Sequence, residues 1–361
     1  MKLSKNIILA GLVVLIFATS LSAASQELSV QGAKNLRSGN MHLSGKRFDK
    51  ALAFYEEVLA ENPNNIEALQ NIAAIYYDDK MKYDVAYDYY TKAIAEIKAL
   101  LEEYEALKES DPKAAKKFYK KNIKKHKYDK GLENVEKLQR SCWIKLFNKG
   151  QEYFKQEAYD KALANYENLL VMAPDSIKTH KMIAMIYTKQ GNTDKAIETY
   201  KKIAEMDPQD MAPIQQVAAL LFGAEKYTEA AEWYVKATEL EPENSDYYYN
   251  VAVCYNKAEN NEKAFEYYTK TVEVDPEHLD AILNASNTAA SLKDSENQIK
   301  YLKKYIEIDN ENLDFIKYLV SLLIANKKYE DAAEYSAKWL ELEPGSTEAK
   351  QIKAFAEQQI K

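Results

Sequence analysis

Apolar residues recur at helical spacing in two stretches that repeat along the chain. In one repeat Ile183, Ile186 and Tyr187 mark the first stretch, and Ile197 and Tyr200 mark the second. Spacings of three and four residues place such side chains on one face of an α-helix. Polar residues at positions 190–192 separate the two stretches. The pattern therefore predicts pairs of amphipathic helices joined by short turns.

A proline ends the second helix of most pairs, because proline cannot continue a helix and disfavours helical geometry in the residue before it. A 34-residue period is set by Pro174, Pro208, Pro242 and Pro276, and Pro344 follows two periods later. An alanine lies twelve residues before each of these prolines and before Pro63, at Ala51, Ala162, Ala196, Ala230, Ala264 and Ala332. An aromatic residue lies one helical turn after the alanine in six repeats, at Tyr55, Tyr90, Tyr166, Tyr200, Tyr234 and Tyr268. A pair this small cannot bury its own apolar face, so the pairs are expected to stack on one another.

This template resembles the tetratricopeptide repeat family, which carries a small residue twelve positions before the alanine and an aromatic residue nine positions before it. Gly39 and Gly150 match the small position, and Tyr153, Tyr187 and Tyr255 match the aromatic one. The resemblance implies an all-α tetratricopeptide-repeat α-solenoid, a right-handed superhelix of about eight helix pairs. Residues 32–96 would hold repeats 1 and 2, residues 143–346 repeats 3 to 8, and residues 347–361 a capping helix. Such a fold says little about function.

One repeat departs from the template. Gln298, Leu302 and Asn310 replace the alanine, the tyrosine and the proline. That helix pair is therefore expected to pack differently from its neighbours.

An insertion at residues 97–141 interrupts the period. The second helix of repeat 2 is predicted to continue from Asp84 to Glu109 and to protrude, and Asp111 with Pro112 to start a lysine-rich helix that ends at Gly131. The stretch between Ile97 and Ser141 carries thirteen basic and eight acidic residues, whereas the whole chain has a formal net charge of −7. The predicted contact residues on this insertion are Lys117, Lys120, Lys121 and Lys124. A purely solvated face is the alternative.

The first 24 residues have the pattern of a signal peptide. Lys2 and Lys5 precede a short apolar run, and small residues follow it. The prediction is cleavage after Ala24 and a periplasmic or secreted protein. The alternative is an uncleaved segment that anchors the protein in the inner membrane.

Composition and spacing argue against an enzyme, a metal site and a bound cofactor. The four histidines lack metal-ligand spacing to one another or to the two cysteines, Cys142 and Cys254, which are predicted not to bond to each other. Residues 39–46 miss the phosphate-loop spacing by one residue. An acidic chain is also a poor general nucleic-acid binder, so no nucleic-acid partner is expected.

The family resemblance implies that the first helices line a concave groove that holds an extended peptide segment of a partner protein. Asparagine recurs in this groove, and its amide both donates and accepts hydrogen bonds. Leu36 stands where a carboxylate-clamp lysine would precede Asn40, so chaperone-tail specificity is not implied. The predicted groove residues are Asn40, Asn71, Asn148, Gln151, Lys178, Lys181, Met182, Met185, Gln215, Gln216, Tyr249, Asn250, Asn284 and Lys317.

The predicted function is a non-enzymatic protein–protein interaction scaffold in the cell envelope or outside the cell. The alternative is a surface-attachment protein whose lysine-rich insertion binds an anionic envelope polymer or lipid. The sequence leaves the oligomeric state open.

Overall fold

The computed structural model describes residues 27–360 of the chain, and the predicted signal peptide lies outside them. Within this range the chain forms eighteen α-helices and no strand, which confirms the all-α prediction. The chain divides after Pro174 into two compact units. Unit 1 contains α1 (Val30–Ser44), α2 (Phe48–Glu61), α3 (Ile66–Asp78), α4 (Tyr83–Ser110), α5 (Pro112–Phe118), a π-helical segment (Tyr119–Lys124), α6 (Tyr128–Lys155) and α7 (Tyr159–Met172).

Unit 2 contains the remaining pairs and the last helix. Its elements are α8 (Ile177–Lys189), α9 (Thr193–Met206), α10 (Met211–Gly223), α11 (Tyr227–Leu240), α12 (Ser245–Lys257), α13 (Asn261–Val274), α14 (Leu279–Ser291), α15 (Ser295–Ile308), α16 (Leu313–Ala325), α17 (Tyr329–Leu342) and α18 (Thr347–Ile360). Within each unit every pair packs on the next one, and the fold class is a stack of helix pairs of the α-solenoid type. Eight pairs are present in the described residues: α1–α2, α3–α4, α6–α7, α8–α9, α10–α11, α12–α13, α14–α15 and α16–α17.

Polar side chains fix where the first helices of several pairs begin. Asn65, Ser176, Asp210 and Asn244 each accept a hydrogen bond from a backbone N–H in the first turn of α3, α8, α10 and α12. These N–H groups have no partner inside the helix, so the caps stabilise the helix starts.

The turn inside each pair has a feature that the sequence pattern did not reveal. One residue per turn adopts a left-handed backbone conformation, with φ between 49° and 71° at Lys46, Met81, Glu157, Gly191, Glu225, Glu259, Lys293 and Lys327. Only one of these eight residues is glycine, although a left-handed conformation is costly for other residues. Packing on both sides of the turn therefore overrides local preference.

The small residue and the tyrosine of the template pack against each other. A Cβ atom on Gly39 would lie 2.6 Å from the ring of Tyr55, and one on Gly150 would lie 2.7 Å from the ring of Tyr166. Both rings are completely buried. This contact joins the two helices of one pair.

The insertion differs from the prediction in two respects. The break expected at Gly131 is wrong: Lys127 adopts the left-handed conformation, and α6 then runs without interruption from Tyr128 to Lys155. The 28-residue helix α4 also does not simply protrude, because Ile97 and Leu100 are fully buried in one cluster with Ile123 of the π-helical segment. Apolar side chains on the insertion thus extend the core of unit 1.

The divergent pair α14–α15 keeps the helix lengths of its neighbours. Leu302 is buried in the core. Gln298 is also buried, and its side chain donates a hydrogen bond to the Tyr318 hydroxyl of the next pair at 2.6 Å. A polar bridge therefore replaces the close helix contact that alanine allows elsewhere.

Candidate functional site

An open depression lies on the first helices of two neighbouring pairs in unit 2. Its volume is about 410 Å³, and α8, α9 and α10 line it. Lys181 and Met185 come from α8, Pro213 and Gln216 come from α10, and Tyr200 of α9 forms part of the floor. We call this depression the α8–α10 pocket. It brings together three predicted groove residues, Lys181, Met185 and Gln216, with an apolar floor.

Lys181 is held at the pocket by an ion pair. Its Nζ lies 2.6 Å from Oδ2 of Asp210, which also caps α10 by accepting a hydrogen bond from the Ala212 N–H at 3.1 Å. The hydrogen bond from Lys181 lowers the pKa of Asp210, and the backbone hydrogen bond adds to the effect. The lysine therefore bridges two neighbouring pairs and leaves part of its side chain exposed at the pocket.

Several other predicted residues form similar bridges between neighbouring pairs. Gln215 donates to the Tyr247 hydroxyl at 2.5 Å, and Asn284 donates to the Tyr249 hydroxyl at 3.2 Å. The Tyr249 ring also stacks on His278, with 4.8 Å between the ring centroids. Burial raises the pKa of Tyr249, so its hydroxyl stays protonated at neutral pH. These side chains already have structural partners.

The last predicted groove residue in unit 2 is also engaged. Lys317 lies 3.1 Å from the Glu343 carboxylate, and its Nζ lies 5.1 Å from the centre of the Trp339 ring. This lysine joins α16 to α17.

Two amides on the first helices of unit 2 keep their hydrogen-bonding capacity. Across residues 27–360, no side-chain hydrogen bond is formed by Gln216, which lines the α8–α10 pocket, or by Asn250 on α12. Lys178, on the first turn of α8, is exposed. Unit 2 therefore combines an apolar-floored pocket with unpartnered amides on its first helices.

In unit 1 the predicted asparagines satisfy one another. Asn40 donates to Glu67 at 2.8 Å and accepts from the Tyr55 hydroxyl at 2.7 Å. Asn71 donates to Asn40 and to the Tyr55 oxygen at 3.1 and 3.0 Å. Their role is to join the first two pairs. On α6 of this unit, Asn148 is exposed and Gln151 half-buried, and neither forms a side-chain hydrogen bond among the described residues.

The four predicted lysines of the insertion are all exposed. Lys121 forms an ion pair with Glu27 at 2.6 Å. Across the part of the chain that the structure describes, Lys117, Lys120 and Lys124 form no ion pair. The apolar residues between them face inward, since Ile123 is fully buried.

The described residues show no arrangement that suggests chemistry at a metal or a thiolate. No group of three or more His, Cys, Asp or Glu side chains in residues 27–360 is placed to hold a metal ion. Cys142 and Cys254 are buried free thiols, as predicted, and burial raises the pKa of each to about 12. Over the same residues, every helix is too short or too polar to span a bilayer.

Sequence reasoning placed Lys181, Met185 and Gln216 in the groove and missed the other residues of the α8–α10 pocket. Tyr200 was identified only as an aromatic residue of the repeat, and Asp210 and Pro213 were not singled out. The signal was available in part, because Asp210 precedes a helix start and Pro213 lies in its first turn, which is a common capping arrangement.

Comparison with known proteins points to one family. Three family models, each described as a tetratricopeptide repeat, match residues 153–221, 218–273 and 279–312. Stress-induced-phosphoprotein 1 of Caenorhabditis elegans is 25% identical over 166 residues, which are 38% of this chain and 51% of that protein. The chain thus spans about half the length of this curated relative.

Solved structures give weaker likenesses. MamA from Desulfovibrio magneticus RS-1 is 18% identical with a TM-score of 0.36, covering 47% of this chain and 97% of its own. YrrB, described as a TPR protein with an unusual peptide-binding site, is 19% identical with a TM-score of 0.37, covering 51% of this chain and 91% of its own. In the Naa15/Naa10 complex bound to HypK-THB, the matched chain is 15% identical with a TM-score of 0.43, covering 91% of this chain and 39% of its own.

Proposed function

Because this chain belongs to the tetratricopeptide repeat family, we propose that it is a non-enzymatic protein-interaction scaffold whose partner binds on the first helices of unit 2. Stacked helix pairs present long surfaces rather than enclosed reaction sites.

The α8–α10 pocket is the main structural support for this binding site. Its volume of about 410 Å³ accommodates one large apolar side chain of a partner. Met185 stands at its edge with 41% of its surface exposed, and an unbranched methionine adapts to different ligand shapes. The pocket therefore supplies the apolar anchor that a peptide-binding surface needs.

The unpartnered amides supply the second element. Gln216 lines the pocket and Asn250 lies on the next first helix, so both can pair with N–H and C=O groups of an extended peptide. Recognition of the peptide backbone would tolerate different partner sequences, while the pocket would select one apolar residue. Each such hydrogen bond contributes on the order of 1 kcal/mol.

The proposed location is outside the cytoplasm. It rests on the basic start, the short apolar run and the small residues before Ser25, which together match export chemistry. Intact-mass measurement of the protein from its own cells tests cleavage. A mature chain that starts at Ser25 supports a periplasmic or secreted protein, and a chain that retains residues 1–24 contradicts cleavage.

A matched pair of substitutions tests the binding site. Met185→Glu places a charge at the pocket edge, and Leu342→Glu places the same charge on a side chain that is also 41% exposed but lies outside the pocket. Affinity purification with wild-type protein identifies the partner, and the purified partner is then titrated against each variant. We expect Met185→Glu to weaken binding at least about tenfold, or about 1.4 kcal/mol, and Leu342→Glu to leave it unchanged. Equal affinities in the two variants would place the site elsewhere.

The surface-attachment alternative concerns the lysine-rich insertion, which leaves Lys117, Lys120 and Lys124 exposed and without ion pairs in the described residues. Its partner would be an anionic envelope polymer or lipid. Salt-sensitive sedimentation with anionic vesicles or cell-wall material supports this alternative, and its absence contradicts it.

A further inference from the structure

The exposed side of the insertion is a continuous basic face. Residues 112–128 contain eight lysines and no aspartate or glutamate. The helical stretch Pro112–Lys124 places Lys113, Lys117, Lys120 and Lys124 three or four residues apart, which puts them on one side. All eight lysines are exposed. We call the exposed side of residues 112–128, with its eight lysines, the lysine face.

Almost none of this charge is compensated. Lys121, paired with Glu27, is the one lysine of the face that forms an ion pair among residues 27–360. Like charges at three- and four-residue spacing destabilise a helix. Local helix stability therefore does not explain why the lysines are concentrated here.

The lysine face is also held in a fixed orientation. Ala115 and Ile123, on the opposite side of the same stretch, are buried in unit 1. The Tyr119 hydroxyl donates to Asp129 at 2.6 Å, and its ring lies 5.0 Å from the ring of Tyr104 on α4. A rigid platform loses less entropy when it binds, so it suits recognition better than a free tail does.

Unit 2 carries a surface of the opposite charge. Four turns of unit 2 contain fifteen aspartates and glutamates and no lysine or arginine: three between successive pairs, at residues 239–246, 273–280 and 307–314, and one between α17 and α18, at residues 341–348. Twelve of these acidic residues are exposed. Within the described chain, Glu343, which pairs with Lys317, is the one member that forms an ion pair. We call these four turns the acidic edge.

Local structure explains only part of the acidic edge. Asp246, Asp280 and Asp314 lie in the first turns of α12, α14 and α16, where a negative charge favours the helix dipole. Glu239 and Glu273 instead lie in the last turns of α11 and α13, and Glu307 and Glu341 repeat this placement in α15 and α17. A carboxylate at a helix C-terminus is disfavoured. As on the lysine face, charge is concentrated where helix energetics oppose it.

We propose that the lysine face of one copy of this protein docks on the acidic edge of a second copy. Each surface forms a single ion pair among the described residues, and each supplies the charge that the other needs. Because the two contacting surfaces differ, the contact is heterologous, so each bound copy still presents a free surface of each kind to the next. The protein would therefore assemble head to tail, and the pocket in unit 2 would be displayed many times along the assembly.

Sedimentation velocity of the full mature chain tests the assembly. In about 50 mM NaCl, where screening is weak, the weight-average mass is expected to rise as protein concentration increases from about 1 to 100 µM. In about 0.5 M NaCl the mass is expected to return to that of a monomer. A constant monomer mass in low salt would overturn the proposal.

Charge reversal identifies the surfaces. A lysine-face variant carries Lys113→Glu, Lys117→Glu, Lys120→Glu and Lys124→Glu. It is expected to associate at least about tenfold more weakly than wild type. A control variant with the same change in net charge reverses four exposed lysines outside the insertion, Lys145, Lys161, Lys202 and Lys257. Equal loss in both variants would mean that net charge alone drives association, which contradicts the proposal.

Complementation makes the test independent of folding defects. An acidic-edge variant carries Glu243→Lys, Glu277→Lys and Glu311→Lys, and it too is expected to be monomeric alone. In a mixture with the lysine-face variant, the two reversed surfaces can bind each other, and so can the two native surfaces. Association should therefore return. Two monomeric variants that stay monomeric when mixed would refute the contact.

Other occupants of the lysine face give different results. Monomeric wild-type protein that sediments with anionic vesicles, and a lysine-face variant that does not, would assign the face to a lipid surface and overturn self-association. Salt-dependent compaction at constant mass would indicate a contact within one chain and would also overturn it.

Discussion

Replacing Ile123 with alanine tests whether the insertion belongs to the core of unit 1. The side chain is fully buried in one cluster with Ile66 and Ala73 of α3, Leu100 of α4 and Val135 of α6. Truncation removes three carbon groups, which at about 0.8 kcal/mol each loses about 2.4 kcal/mol of transfer free energy. An incompletely collapsed cavity adds to this loss, so we expect unit 1 to be destabilised by about 3 kcal/mol.

Tryptophan fluorescence allows the measurement to be made on unit 1 alone. Trp143 is the one tryptophan in residues 1–174, so replacing Trp233 and Trp339 with phenylalanine leaves a single reporter. Urea unfolding is then compared between this background, Ile123→Ala and the exposed-site control Lys120→Ala. If Ile123→Ala lowers the free energy of unfolding by less than about 0.5 kcal/mol, as the control does, the insertion is not part of the core of unit 1.

Three further predictions follow from packing, burial and charge. Gly150→Ala should destabilise unit 1 by about 1–3 kcal/mol in the same assay, because its Cβ would lie 2.7 Å from a buried tyrosine ring. Gly131→Ala, on the same helix but with open space around it, should be neutral or slightly stabilising. Burial raises the pKa values of Cys142 and Cys254 to about 12, so both thiols should react with a disulfide reagent at pH 8 only when the protein is unfolded. Fast reaction in the native state would contradict their burial. The pKa of Asp210 is lowered in the folded state, so its stabilising effect is complete above the ordinary value of 3.8 and is lost as the pH falls below that value. Asp210→Asn should therefore make unit 2 less sensitive to acid in urea titrations between about pH 5 and pH 2.

Much of the fold was predictable because the repeat constrains it at many positions at once. Alanine, tyrosine and proline at fixed spacing specify a close helix contact, a space-filling ring and a helix end, and the structure shows the ring contact directly at Gly39 and Gly150. The left-handed turn residues were not predictable, because seven of the eight are not glycine and only tertiary packing selects their conformation.

The candidate site was less predictable, since a groove position does not reveal what a polar side chain contacts. Asn71 and Asn250 occupy equivalent places in their repeats, yet Asn71 bonds to Tyr55 and Asn40 while Asn250 has no side-chain partner in residues 27–360. The difference depends on which neighbour the adjacent pair supplies. The pocket arises in the same way, from Tyr200 and residues of two first helices that only the stacking brings together.

Site-specific photo-crosslinking tests whether the first helices of unit 2 hold a protein partner. A photoreactive phenylalanine is placed at Met185, at the edge of the α8–α10 pocket, and in a second protein at Leu342, which is equally exposed but outside it. Each protein is irradiated in an extract of the cells that make it, and the adducts are identified by mass spectrometry. We expect a discrete protein adduct at Met185 that is absent at Leu342. No adduct at Met185, or the same adduct at both positions, would contradict it.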